Sequence, residues 1–143
     1  MKIAVNREYM TRHLGVAILF MVLGLWFLYD AVFVYPNVPV APGEHRTSIS
    51  FQYSSAALLV IASLIIALRA RISAHETLEW DDEKMWGSLT GGREIPLSDV
   101  KVADWSKWER KRILVLVTRE GRFISVDGWH HTGVEDLAKK LGG

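Results

Sequence analysis

The sequence predicts a helical hairpin that spans a membrane, followed by a small β-rich domain that ends in one α-helix. Residues 14–34 and residues 51–70 are apolar runs of about twenty residues, and each carries at most one formal charge. A helix of that length crosses a hydrocarbon core of ~30 Å. Short segments with alternating apolar and polar residues follow after residue 76, and this alternation predicts strands.

The first apolar run is predicted to be an uncleaved membrane anchor. Residues 1–13 precede it as a short cytoplasmic segment with Lys2, Arg7 and Arg12. The apolar region of a secretory signal peptide is only ~7–15 residues long and ends in small residues. Here the run ends in Val-Tyr-Pro instead. We therefore predict that residues 14–34 form the first transmembrane helix.

The basic residues around the two runs predict the orientation in the membrane. Arg69 and Arg71 end the second run, whereas Arg46 is the only Lys or Arg in the connecting segment, residues 35–50. Basic residues in short flanking segments favour the cytoplasmic side. We expect a multi-pass protein of the cell inner (plasma) membrane, with both termini cytoplasmic and residues 35–50 outside the cytoplasm.

The remaining chain, residues 71–143, is predicted to be a cytoplasmic β domain. Turn residues separate its candidate strands, which are residues 77–80, 84–89, 100–104, 112–118 and 123–126. In the fourth strand, apolar side chains alternate on both faces, which indicates a strand that is covered on more than one side.

A closing helix is predicted over residues 132–141. Thr132 stands three residues before Glu135, which is the spacing of a capping box. Val134, Leu137 and Leu141 share one face of this helix, so we expect that face to pack on the sheet.

Strands in meander order, closed by one amphipathic helix and attached to two transmembrane helices, resemble the bacterial pleckstrin-homology-like (PH-like) domains of small membrane proteins. The residues that carry the resemblance are a strand pair with an acidic turn at 78–86, the segments 95–100, 113–117 and 121–126, and the helix. The resemblance implies a binding or scaffolding module. The domain is short for a complete barrel, so one or two strands are missing, merged or supplied by residues 71–76.

The composition restricts the chemistry of the chain. It contains no cysteine, which excludes thiolate catalysis and Cys-ligated metals. The net charge is +1 for the whole chain, and residues 75–143 hold 11 Lys and Arg against 13 Asp and Glu. A nucleic-acid module is normally basic, so no nucleic-acid partner is expected.

Catalytic, cofactor-binding and metal-ligating residues are not predicted. His130 and His131 are adjacent and near Asp127, but this spacing matches no usual zinc pattern, and we expect exposed loop histidines rather than metal ligands.

The most suggestive segment for binding lies between the third and fourth predicted strands. Two indoles and four cations fall within eight residues, and the candidate contact residues are Trp105, Lys107, Trp108, Arg110, Lys111 and Arg112. Indoles favour the membrane interface, and cations are attracted to anionic cytoplasmic headgroups. The alternative is structural: Trp105 packs in the sheet and the charges are paired or solvated. Trp129 is expected to pack under the last helix.

These observations predict a non-enzymatic membrane protein whose PH-like module contacts lipid headgroups or a membrane-protein partner. An accessory or assembly subunit of a larger membrane complex is the alternative, and a homo-oligomer is a further assembly that the sequence allows. A membrane-surface enzyme would require a polar constellation that the sequence lacks.

Overall fold

Two long helices dominate the first half of the chain. The computed structural model describes residues 1–142 and contains α1 (Arg7–Tyr29), which continues as a π-helical turn over Asp30–Val34, and α2 (Ile49–His75). Both are long and apolar enough to cross a membrane. Only 17% of the most apolar window of each helix is buried, whereas the core helix of a soluble protein is mostly buried.

Small residues allow close packing between the two helices of the helical unit, Thr11–Ala70. The Ser63 hydroxyl donates a hydrogen bond to the carbonyl oxygen of Ala17 at 2.7 Å. A Cβ atom on Gly24 would lie 2.9 Å from a methyl carbon of Val60. This close approach agrees with the small-residue interfaces of membrane helices.

The connection between α1 and α2 is held by side chains of the helical unit. The Arg46 guanidinium donates to the carbonyl oxygen of Val38 at 2.7 Å and lies 4.1 Å from the ring centre of Tyr35. The Gln52 amide donates to the Asp30 carboxylate at 2.5 Å. These contacts pair the Asp30 carboxylate and the Arg46 guanidinium at the ends of the apolar segments, where unpaired charges are costly.

The second unit, called the β unit, comprises Met1–Met10 and the chain from Arg71 onward. Besides the ends of α1 and α2, it contains the one-turn α3 (Trp108–Lys111), α4 (Val134–Lys140) and two 3-10 turns, Ser88–Thr90 and Leu97–Asp99. Its strands are β1 (Ala4–Val5), β2 (Glu79–Trp80), β3 (Lys84–Trp86), β4 (Ile95–Pro96), β5 (Val100–Asp104), β6 (Ile113–Thr118), β7 (Phe123–Asp127) and β8 (His131–Thr132).

Three antiparallel sheets make up the β unit, with strand orders β2-β3-β4, β5-β6-β7 and β1-β8. The alternation along β6 places Leu114 and Leu116 in the core, where they are fully buried. From α4, Val134 and Leu137 cover the same core, as the helix pattern predicts. Burial of one such side chain stabilises the fold by about 1.5–3 kcal/mol.

The N-terminal residues belong to the β unit. Ala4 pairs with Thr132 across β1 and β8, and the Ile3 N–H donates to Leu78 O at 2.9 Å. Of the three alternatives for the short barrel, the one in which residues 71–76 supply a strand is wrong, because residues through His75 form the last turns of α2. The added strand comes from the opposite end of the chain.

The closing helix is shorter than the predicted 132–141. It begins at Val134 after Gly133, which adopts φ 84° and provides no side-chain cap. The predicted Thr132 cap is wrong, since Thr132 lies in β8 and its hydroxyl donates to Ala4 O at 3.4 Å. Tertiary pairing with β1 takes precedence over the local capping signal.

Candidate functional site

The predicted contact segment connects β5 and β6 and contains the single turn of α3. The N–H groups of Lys111 and Arg112 donate to the carbonyls of Lys107 and Trp108, each at 2.8 Å. Before the turn, the Ser106 hydroxyl and main-chain N–H both donate to the Asp104 carboxylate and hold its pKa below the ordinary value. This Asx-type turn stops β5 and starts the helical turn.

The two indoles of the segment pack against the β unit. Trp105 and Trp108 meet edge to face with ring centres 4.8 Å apart, and both are half-buried against the core. A Cβ atom on Gly128 would lie 2.4 Å from the ring of Trp108, so only glycine accommodates that ring. Trp105 packs against the core, as the structural alternative expects, but it lies in the connection after β5 and not in the sheet itself.

Three cations of the segment are exposed: Lys107, Arg110 and Lys111, here called the basic turn. None of them forms a salt bridge with another residue between 1 and 142. They follow one another within five residues around one helical turn. Lys107 attracts the nearby Asp104 carboxylate and the exposed Glu109 lies in the same turn, but the three cations leave the turn with a net positive charge that an anionic surface would attract.

Arg112 turns away from the basic turn. It ends α3 with φ 52°, the only positive φ of a non-glycine residue within residues 1–142. Its guanidinium carbon lies 5.3 Å from the ring centre of Trp108 and 6.0 Å from that of Trp129. One guanidinium nitrogen lies 3.6 Å from the Glu135 carboxylate. Arg112 thus joins two indoles and the start of α4.

The structure adds Trp129 to the candidate site, a role that the sequence did not predict. The expectation that it packs under the last helix is wrong, because 45% of its surface is exposed and its ring stacks on Tyr9 at 5.6 Å. Tyr9 also meets the His130 ring edge to face at 5.0 Å. The stacking partner lies 120 positions earlier in the chain, so no local pattern indicates it.

Arg112 and Trp129 line a cleft of about 390 Å³ in the β unit, here called the α4 cleft. Its other lining residues are Asn6, Trp108, Gly128, His131, Thr132, Gly133, Val134, Glu135 and Asp136. Two indoles, a guanidinium and two carboxylates therefore line one concave surface.

The histidine pair is buried, so the expectation of exposed loop histidines is wrong. His130 and His131 expose only 7% and 2% of their surfaces. His130 Nδ1 lies 2.8 Å from the Asp127 carboxylate, while the two nitrogens of His131 lie 3.1 Å from Asp127 O and 3.0 Å from Ser73 O. Within residues 1–142, no group of three or more His, Asp or Glu side chains is arranged to hold a metal ion.

The structure therefore divides the six predicted residues into three groups. Lys107, Arg110 and Lys111 form the exposed basic turn, Trp108 and Arg112 line the α4 cleft, and Trp105 packs against the core. Comparison with protein families, with characterised proteins and with solved structures finds no match for this chain.

Proposed function

We propose that the chain is a two-span membrane protein whose β unit binds anionic lipid headgroups through the basic turn. One observation carries this proposal: three exposed cations without salt-bridge partners in residues 1–142 lie on one helical turn. Each Lys or Arg near an anionic leaflet contributes ~1 kcal/mol of attraction. Binding, rather than catalysis, is the role that this arrangement supports.

The two long helices support the membrane location. Their apolar side chains are largely exposed, including Leu58, Ile65 and Leu68, at 60–70%. An exposed apolar surface of that extent is unfavourable in water and favourable in a bilayer. The excess of basic residues outside the connecting segment favours cytoplasmic termini and a cytoplasmic β unit.

The strand order supports a PH-like module. Two three-stranded antiparallel sheets, β2-β3-β4 and β5-β6-β7, precede the C-terminal helix α4, and this is the order on which the resemblance rests. Fold alone does not fix function, so the basic turn and not the strand order carries the proposed activity.

The test compares the full chain in nanodiscs of neutral lipid and in nanodiscs that contain anionic phosphatidylglycerol. Amide hydrogen exchange of residues 105–112 is the readout. We expect exchange in the anionic discs to be at least about fivefold slower, because the cations hold the turn against the headgroups. High salt should abolish the difference, since exposed charges are screened.

The triple variant Lys107→Gln, Arg110→Gln, Lys111→Gln should lose the response to anionic lipid. A matched variant, Lys101→Gln, Arg119→Gln, Lys139→Gln, removes the same charge from other exposed positions of the β unit and should keep it. Equal exchange in both lipids for the unaltered chain would contradict the proposal. Co-purification at fixed ratio with other membrane proteins, unaffected by the triple variant, would favour the accessory-subunit alternative.

A further inference from the structure

We infer that the α4 cleft binds a zwitterionic phosphodiester headgroup, with the phosphate on Arg112 and the ammonium on Glu135 and the indoles. The inference rests on the proposed function, because it adds a specific headgroup site beside the basic turn. The ligand class is a phosphodiester linked to a primary or quaternary amine, either in a lipid or as its free glycerol ester.

Arg112 supplies the phosphate-binding group. Its guanidinium is held over the rings of Trp108 and Trp129, at 5.3 and 6.0 Å from their centres. A guanidinium presents parallel N–H donors that match two phosphate oxygens. The backbone at Arg112 adopts φ 52°, a conformation that favours glycine, yet a long cationic side chain occupies the position. Strained residues of this kind concentrate at ligand-binding sites.

Glu135 supplies the group that receives the amine. In the free protein its carboxylate lies 3.6 Å from Arg112, and the side chains of Glu135 and Arg112 are 64% and 43% exposed. An ion pair with that exposure is weak and easily exchanged. When a zwitterion enters, the phosphate replaces Glu135 at Arg112 and the ammonium replaces Arg112 at Glu135. Arg112 and Glu135 therefore each have a partner of opposite sign both in the free protein and in the complex.

The rest of the cleft favours a cationic amine over a second anion. Asp136 lines the same cleft, so the carboxylates outnumber Arg112 by one. The indole of Trp129 lines the same cleft and is 45% exposed, which leaves aromatic surface that an ammonium group can contact. The volume of about 390 Å³ lies within the range of ~300–1,000 Å³ that is typical of small-molecule sites.

The test titrates the full chain, in micelles of an uncharged detergent, with soluble glycerophosphoethanolamine. The readout is the set of indole N–H signals in NMR spectra. The Trp129 signal is identified as the one that disappears in the Trp129→Phe variant. We expect a saturable shift of the Trp108 and Trp129 signals. Glycerol phosphate alone and ethanolamine alone should each bind at least about tenfold more weakly, because each satisfies only one half of the cleft.

Two variants separate the halves of the site. Arg112→Gln should weaken binding at least about tenfold, because the phosphate loses its charged donor. Glu135→Gln should weaken binding of the zwitterion to a similar extent but leave the affinity for glycerol phosphate unchanged or higher. Because Glu135 is exposed on α4, this second variant keeps the inference testable if Arg112→Gln fails to fold. The pair Arg122 and Glu120, 3.5 Å apart on another turn, provides matched controls that should leave binding unchanged.

The source of the headgroup is distinguished in nanodiscs. If phosphatidylethanolamine in the disc produces the indole shifts, the ligand is a membrane lipid; if only the soluble ester does so, the ligand is a free metabolite. The absence of a saturable shift, or Arg112→Gln and Glu135→Gln variants that bind as tightly as the unaltered chain, would overturn the inference. The triple variant of the basic turn should still bind the soluble ester, so failure of the proposed function and failure of this inference give different results.

Discussion

At the scale of single residues, His131 is the most constrained polar side chain of the β unit. It is almost fully buried, and each ring nitrogen faces a main-chain carbonyl, that of Ser73 at 3.0 Å and that of Asp127 at 3.1 Å. The Glu76 carboxylate lies 3.8 Å from Nε2.

We predict that His131→Leu lowers the free energy of unfolding by about 1–3 kcal/mol, because it removes the buried hydrogen bonding of the ring to the main-chain carbonyls of Ser73 and Asp127. Thermal and denaturant unfolding of the full chain in detergent, followed by tryptophan fluorescence, measures the loss. His75→Leu, at an exposed position, is the control and should cost less than half as much. Equal losses for the two variants would contradict the assigned role.

The roles of His131 and Trp129 could not be predicted from the sequence, because their partners are distant in the chain. Ser73 and Tyr9 lie 58 and 120 positions before them. Local patterns report neighbours in a helix or strand, and adjacent histidines on a turn resemble an exposed pair. The cations of the basic turn were predictable because exposure of Lys and Arg is the common outcome for these residue types.

At the scale of elements, the turn between β2 and β3 depends on one carboxylate. The N–H groups of Glu83 and Lys84 both donate to the Asp81 carboxylate at 2.8 Å. These main-chain hydrogen bonds hold the pKa of Asp81 below its ordinary value of 3.8. The carboxylate therefore stabilises the turn more strongly when it is ionised than when it is protonated.

The pKa shift predicts the pH dependence of the β2–β3 turn. Because the folded pKa is lower than the unfolded one, the stabilisation is fully present above about pH 4 to 5 and is lost as the pH falls through the folded pKa. Asp81→Asn should thus be less stable than the unaltered chain at neutral pH, and the difference should shrink below about pH 4. Chemical unfolding at a series of pH values measures it.

Asp82→Asn is the control for this prediction, since it removes the same charge one residue later. Its partner is Lys140 at the surface, and high salt screens that pair. In high salt, the Asp82 variant should differ little from the unaltered chain at any pH. A pH-independent difference for Asp81→Asn would show that the main-chain hydrogen bonds do not depend on the charge.

The bounds of the longer strands were predictable, whereas the two-residue strands β1 and β8 were not. The predicted strand over residues 100–104 has the bounds of β5, and residues 123–126 differ from β7 by one residue. Alternation needs about four residues to be recognised, whereas β1 and β8 have two each. Their pairing joins Ala4 to Thr132, 128 positions apart, so it depends on the folded domain and not on a local signal.

At the scale of the whole molecule, the chain order constrains the topology. β1 precedes α1, β8 follows α2, and the two strands pair. If α1 and α2 both span a bilayer, the chain returns to the side from which it started, and this agrees with the pairing. The hydropathy of the sequence predicts the two helices, while only the structure shows that the N-terminal residues complete the β unit.

The most direct test of a two-span topology with a cytoplasmic β unit determines on which side of the membrane single introduced cysteines react. The chain has no cysteine of its own, so any labelling comes from the introduced residue. Ser125→Cys on β7 and Ala41→Cys in the segment between the helices both change exposed positions. A membrane-impermeant maleimide is applied to right-side-out and inverted vesicles of the cell membrane. We predict that the Ser125→Cys variant reacts only in inverted vesicles and the Ala41→Cys variant only in right-side-out ones. Reaction of both variants from the same side, or recovery of the chain in the soluble fraction, would contradict this topology.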